Sequence, residues 1–163
     1  MTLDELNGKD RRGFVGAVGS AFEDSPWVAE RAWDKRPFES IDALHDAMAS
    51  VVASARRDEQ LSLLRAHPEL GGRAKMSQAS TLEQAGAGLA ALTRDEAERF
   101  TSLNSAYREK FGFPFLYAVK GRTAQDILNA LERRLTSARD IEHDEALRQV
   151  YRIARFRLED MIS

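Results

Sequence analysis

The chain has 163 residues, 43% of them hydrophobic and 31% charged, with no cysteine and a formal charge of −2. That length fits one domain, 1–163, whose core needs no metal or disulfide staple. Lack of cysteine removes disulfides, thiolate metal sites and cysteine nucleophiles and agrees with a reducing compartment, while the near-neutral balance argues against a surface devoted to nucleic-acid phosphates.

The opening stretch, MTLDELNGKDRRGF, is acidic and polar with no apolar leader core. No window approaches the ~18 apolar residues of a membrane span, and the terminal DMIS is not a peroxisomal address. A cytoplasmic protein without membrane contact is expected.

The periodicity is helical from here on, and no alternating strand stands out. Ser25-Pro26 reads as an N-cap with proline at the first helical position, opening a short helix through Trp27, Ala29 and Trp33. Ser40 starts a run with Ile41, Leu44, Met48, Val51 and Val52 on one face, and a further helix carries Leu61 and Leu64 up to His67. Thr93-Arg-Asp-Glu96 has the form of a capping box, followed by Phe100, Leu103 and Tyr107 and a stop near Gly112. Thr123 to Asp126 opens another helix, with Ile127, Leu128, Leu131 and Leu135 as its buried face. The last begins near Asp140, with Leu147, Val150, Ala154, Leu158 and Met161 as its stripe. The expectation is an all-α, single-domain bundle of about seven or eight helices.

Two segments break this pattern without being polar linkers: 67–80, HPELGGRAKMSQAS, and 111–117, FGFPFLY. Apolar loops bent by Gly and Pro pack inward and present backbone N–H and C=O groups to whatever they face. A functional site is sought there.

Of the three histidines, His45 and His143 lie in polar helical surroundings and read as solvated. His67 closes a helix, where imidazolium caps the dipole, and Pro68 restricts it to extended backbone, which fixes the angle of its ring. Capping and catalysis both fit that position. Ser80-Thr-Leu-Glu83 matches a capping box, yet a helix opened there also aims N–H groups outward at a carboxylate, and Gln84 adds a donor and an acceptor. Arg157 projects from the apolar stripe of the last helix. An inward arginine costs several kcal/mol unless an anion meets it. Its partner is either an internal Asp or Glu or a ligand carboxylate held by the planar fork, unless the stem snorkels outward.

Taken in order, HPEL with GG, then STLEQ…GAGL, then LNSAYREKFGFPF, then RFRLEDMI make a chain that resembles the family of 2-oxo-4-hydroxy-4-carboxy-5-ureidoimidazoline (OHCU) decarboxylases. These are cofactor-free enzymes of urate breakdown that form (S)-allantoin. The resemblance runs from SPWVAERAW to the C-terminus and implies an all-helical homodimer acting on the small molecule OHCU, with no cofactor, no metal and no nucleic-acid partner. It places His67 on the catalytic histidine and Glu83 on its acidic partner. Pro68, Ser80, Gln84 and Arg157 fall on substrate-contacting positions, as does the backbone of Phe115, Leu116, Tyr117, Ala118 and Val119. The GGRAKM loop looks variable in the family, so Arg73 and Lys75 receive no role.

The chemistry suits such residues. In this substrate the leaving carboxylate sits on a carbon that also bears a hydroxyl, beside a ring imine that accepts the electrons as CO2 departs. The substrate supplies its own electron sink, so the protein orients, stabilises charge and delivers one proton. Three rival readings remain, one of them a ring hydrolase acting on the same pathway's previous intermediate, which would release no CO2 from OHCU. A non-catalytic helical interaction module would use His67, Ser80 and Glu83 as caps and FGFPF as an aromatic patch. A nucleic-acid contact through RQVYRIARFR is weakened by the flanking Glu142, Asp144, Glu145, Glu159 and Asp160.

Overall fold

The computed structural model describes residues 1–71 and 77–163. Among the described residues there are nine α-helices, two short 3-10 turns and no strand. The all-α expectation holds, with more helices than were counted. The chain divides into two compact units, 1–66 with 150–163, and 67–149.

The first unit holds α1 (Leu3–Asn7), α2 (Arg11–Val18), α3 (Trp27–Ala32), α4 (Ile41–Ala53), α5 (Arg57–Ala66) and the end of α9 (Arg139–Met161). Helices α1 and α2 account for the excess over the expected number. The first is closed by a capping box between Thr2 and Glu5, and the second is capped by Asp10 on the Gly13 N–H. Their apolar signal is thin, because α2 carries Gly13 and Gly16 and buries only Phe14 and Val18. Helix α3 packs on α2 and α4. Leu6, Phe14, Phe22, Leu44, Met48, Leu63 and Leu64 are fully buried, each contributing about 1.5–3 kcal/mol.

Both tryptophans lie in this unit under guanidinium groups. Arg31 sits 4.7 Å from the Trp27 ring centroid, and Arg11 and Arg36 lie 4.8 and 4.0 Å from Trp33. The Trp33 indole N–H donates to the Lys9 carbonyl at 3.1 Å.

Two expectations are corrected here. Helix α3 has no side-chain cap: Pro26 occupies the N-cap position, and the Ser25 hydroxyl turns back to donate to the Glu23 carbonyl at 2.8 Å. His45 is half-buried rather than solvated, its Nε2 lying 2.7 Å from the Tyr151 carbonyl. Ser40 caps α4 as expected, its hydroxyl accepting from the Ala43 N–H.

The second unit holds α6 (Gln78–Gly86), α7 (Arg94–Phe111), α8 (Ala124–Arg134) and the start of α9. Capping boxes at Thr93/Glu96 and Thr123/Asp126 open α7 and α8, and Gly112 stops α7 in the left-handed conformation at φ 79°. Helices α7 and α8 pack together, and Phe100, Tyr107, Phe115, Ile127, Leu128 and Leu131 are fully buried. Leu135 is half-buried beyond the end of α8, and Arg134 takes its expected place among the buried residues. His143 is buried, contrary to the sequence reading, because it leads Leu147 and Val150 at helical spacing and belongs to their stripe.

Candidate active site

Helix α5 opens with Asp58 and Glu59 in its first turn, where carboxylates suit the positive end of the dipole. It buries Leu63 and Leu64 and runs out at Ala66. His67 follows immediately and is only 5% exposed. Pro68, half-buried, cannot continue the helix.

The next three residues are fixed by amide side chains from two helices. Gln84 of α6 donates through Nε2 to the Glu69 carbonyl at 3.2 Å and accepts from the Gly71 N–H at 3.0 Å. Between those contacts Asn104 of α7 donates to the Leu70 carbonyl at 2.8 Å. The Glu69 carboxylate meets Arg108 at 3.1 Å. Gly71 stands at φ +72°, and a Cβ there would come 3.0 Å from Cγ of Phe100. Only glycine suits that turn and that approach. The chain leaving His67 is therefore pinned at consecutive backbone groups.

Helix α6 starts earlier than the Ser80–Glu83 capping box would have it. Ser77 is the cap, its hydroxyl accepting from the Ser80 N–H at 3.2 Å, so Ser80 and Glu83 lie within the helix. Ser80 and Gln84 form its buried side, spaced by one turn, while Glu83 is half-buried. Arg73 and Lys75 lie outside the described residues.

The second irregular segment follows Gly112. Phe113, Phe115, Leu116, Ala118 and Val119 are buried and Tyr117 is half-buried. The Tyr107 ring sits edge-on to Phe115 at 5.4 Å, and Phe115 stacks on Tyr117 at 5.9 Å. Part of the backbone expected to meet substrate is engaged internally. The Leu116 carbonyl accepts from Arg134, and the Ala118 N–H donates to Gln149 Oε1 at 2.9 Å.

Arg134 is itself held by Glu142, its Nε donating to Oε1 at 2.7 Å. The Tyr107 hydroxyl donates to the same oxygen. Burial, together with this bond to a carboxylate, pushes the Tyr107 phenol far above its ordinary pKa. Sequence reasoning missed Tyr107, Arg134, Glu142 and Gln149 as a group. The signal was present, since Arg134 lies seven residues after Ile127 and three after Leu131, on the buried stripe of α8.

In the first unit Arg157 is 4% exposed, so it does not snorkel. Its Nη1 lies 2.8 Å from Glu23 Oε2 and donates to the Ser20 carbonyl at 3.2 Å. The internal carboxylate left open by the sequence is Glu23. An open groove of about 920 Å³ borders the pinned loop at Glu69, Gly71 and Asn104 and is otherwise lined by α7 and the residues just before it. His67, Ser80, Glu83 and Gln84 do not line it. Among the described residues no cluster of three or more His, Asp or Glu side chains could hold a metal ion, and no helix is long and apolar enough to cross a membrane.

Comparison with known proteins gives a consistent result. A family model described as OHCU decarboxylase matches residues 7–159. A 2-oxo-4-hydroxy-4-carboxy-5-ureidoimidazoline decarboxylase of Halalkalicoccus jeotgali is 48% identical over 161 residues, covering 99% of this chain and 92% of its own. A uric acid degradation bifunctional protein of Bacillus subtilis is also 48% identical, over all of this chain but 33% of its own length. Among solved structures, an (S)-allantoin synthase superposes with a TM-score of 0.83 at 34% identity, over all of this chain and 54% of that one.

Proposed function

The chain belongs to the family of OHCU decarboxylases, lyases of urate degradation, and we propose that His67 is the general acid and base of its reaction, the decarboxylation of OHCU to (S)-allantoin. The observation that carries this reading is the setting of His67: a buried imidazole at a helix end, on a chain that Gln84 and Asn104 anchor at Glu69, Leu70 and Gly71. A cap alone needs no such scaffold. A proton donor that must reach one face of a prochiral carbon does.

In this mechanism the imidazole interacts with the substrate hydroxyl as CO2 leaves and the electrons enter the ring imine. It then protonates the neighbouring carbon to set the S configuration. Histidine's ordinary pKa, about 6.5, gives access to both protonation states near neutrality. Glu83 orients the imidazole or binds substrate N–H groups. Pro68, Ser80 and Gln84 contact substrate beside it, Gln84 from an amide already set by Glu69 and Gly71. The planar fork of Arg157 and backbone groups of residues 115–119 hold the carboxylate and the carbonyl and ureido oxygens. We further propose that 1–163 acts as one functional domain, as a cytoplasmic homodimer.

The test generates OHCU in situ from urate with urate oxidase and hydroxyisourate hydrolase, adds this protein, and follows circular dichroism. Growth of the (S)-allantoin signal well above the slow racemic background is the expected outcome. Folded protein that gives no acceleration would leave the interaction-module reading. His67→Ala is expected to fold normally and lose turnover by ~10²-fold or more. Near-normal turnover in that variant removes His67 from the chemistry.

A further inference from the structure

The segment between Gly112 and α8 has no regular secondary structure, so its buried peptide groups need side-chain partners. Two of them, two residues apart, find partners on two different helices: Leu116 C=O on Arg134 of α8, and Ala118 N–H on Gln149 of α9. Neither partner was required by the core. A buried leucine in place of Gln149 would fill the same space and leave the Ala118 N–H orphaned.

Both partners are also oriented from behind. Gln149 Nε2 donates to Glu145 Oε1, one turn back on α9, at 2.9 Å, and Glu145 in turn accepts from Arg148 at 3.0 Å. Arg134 is aimed by Glu142, and its guanidinium lies 4.6 Å from the Phe115 ring centroid. Tyr107 braces both elements, its ring against Phe115 and its hydroxyl on Glu142. Side chains positioned this way hold a backbone in one conformation, the condition under which peptide groups bind a ligand without reorganising.

We propose that Gln149 and Arg134 are positioning residues that clamp the 115–119 backbone from its inner side, leaving the peptide groups of Tyr117, between the two clamped residues, as the edge that meets substrate. This rests on the decarboxylase reading, in which that segment binds OHCU. Neither residue touches the reacting atoms. Their loss weakens binding of ground state and transition state alike, which raises KM and spares kcat.

The experiment measures steady-state decarboxylation and the exchange rate of the Ala118 amide in wild type, Gln149→Met, the double variant Glu145→Gln/Gln149→Glu, and Arg134→Lys. Gln149→Met keeps the volume and removes the acceptor. It is expected to raise KM about tenfold with kcat within about twofold and to lose protection of the Ala118 amide. The double variant exchanges donor and acceptor between the two positions, restoring both hydrogen bonds. It is expected to bring KM back to within about threefold of wild type. Arg134→Lys keeps a cation beside Glu142 but lacks the fork that also reaches Leu116, and KM rises in the same direction. It carries the test should Gln149→Met fail to fold.

Unchanged KM in Gln149→Met or in Arg134→Lys, a double variant no better than Gln149→Met, or an unprotected Ala118 amide in wild type would each overturn the clamp. An inactive wild-type protein with a protected Ala118 amide would instead overturn the decarboxylase reading, and the clamp's role in turnover with it.

Discussion

Two arginines, one in each unit, are buried in nearly the same way. Arg157 meets the buried Glu23 and the Ser20 carbonyl; Arg134 meets the buried Glu142 and the Leu116 carbonyl. The side chains of the first pair are 4% and 3% exposed, those of the second 6% and 1%. Each guanidinium thus joins a carboxylate to a backbone carbonyl outside the α-helices, Ser20 in a 3-10 turn and Leu116 in the irregular segment after Gly112. They differ in what that backbone is for. Arg134 grips the segment proposed to touch substrate, whereas Arg157 is proposed to touch substrate itself. A buried ion pair alone therefore does not distinguish a binding group from a brace, whereas kinetics does.

The largest effect should be shared. Glu23→Leu and Glu142→Leu each leave a buried guanidinium without its carboxylate, and each is expected to lower unfolding free energy by about 3–5 kcal/mol, read by urea denaturation. A full loss in one and none in the other would end the equivalence of the pairs. The next effect should separate them. Arg157→Lys keeps a cation near Glu23 but loses the planar fork. It is expected to lower kcat/KM by about 10- to 100-fold, more than Arg134→Lys does, because groups that meet substrate act on the reaction directly. Equal kinetic losses in the two lysine variants would make both arginines braces.

The smallest effect comes from an exposed counterpart, Arg31 with Glu59, which meet at 3.1 Å. The Arg31 hydrogen bonds hold the Glu59 carboxyl down at about 2. A carboxyl depressed in the folded state stabilises it above the ordinary carboxylate pKa, and that contribution disappears as pH falls through about 2. Glu59→Gln is expected to show a small loss of Tm at neutral pH that closes on acidification. A large loss would mean that exposure does not separate strong pairs from weak ones, against general experience.

The same comparison shows what was legible in the sequence. Periodicity found the helices with strong apolar stripes and the capping boxes at Thr93 and Thr123, because those signals are local. It passed over α1 and α2, whose apolar residues are few. It singled out Arg157 because the neighbouring stripe is otherwise apolar. Arg134 sits equally on its stripe, but beside Arg133 at a helix C-terminus a basic residue looks like dipole compensation. The Ser80–Glu83 box misled for the opposite reason: Ser77 offers the same hydroxyl one turn earlier, and the helix begins there. No local pattern announces that Gln84 and Asn104 fix the loop after His67, or that Gln149 meets Ala118. Those contacts join residues 13 to 34 positions apart and exist only once the helices are packed.

The placement of the two tryptophans has a practical consequence. Trp27 and Trp33 both belong to the first unit, each with guanidinium groups near its ring, and the chain has no others. Intrinsic tryptophan fluorescence is therefore a reporter of one unit, and the unit that carries His67 is dark to it. An indole introduced at Phe111, beside Tyr107, would give the second unit a signal of its own.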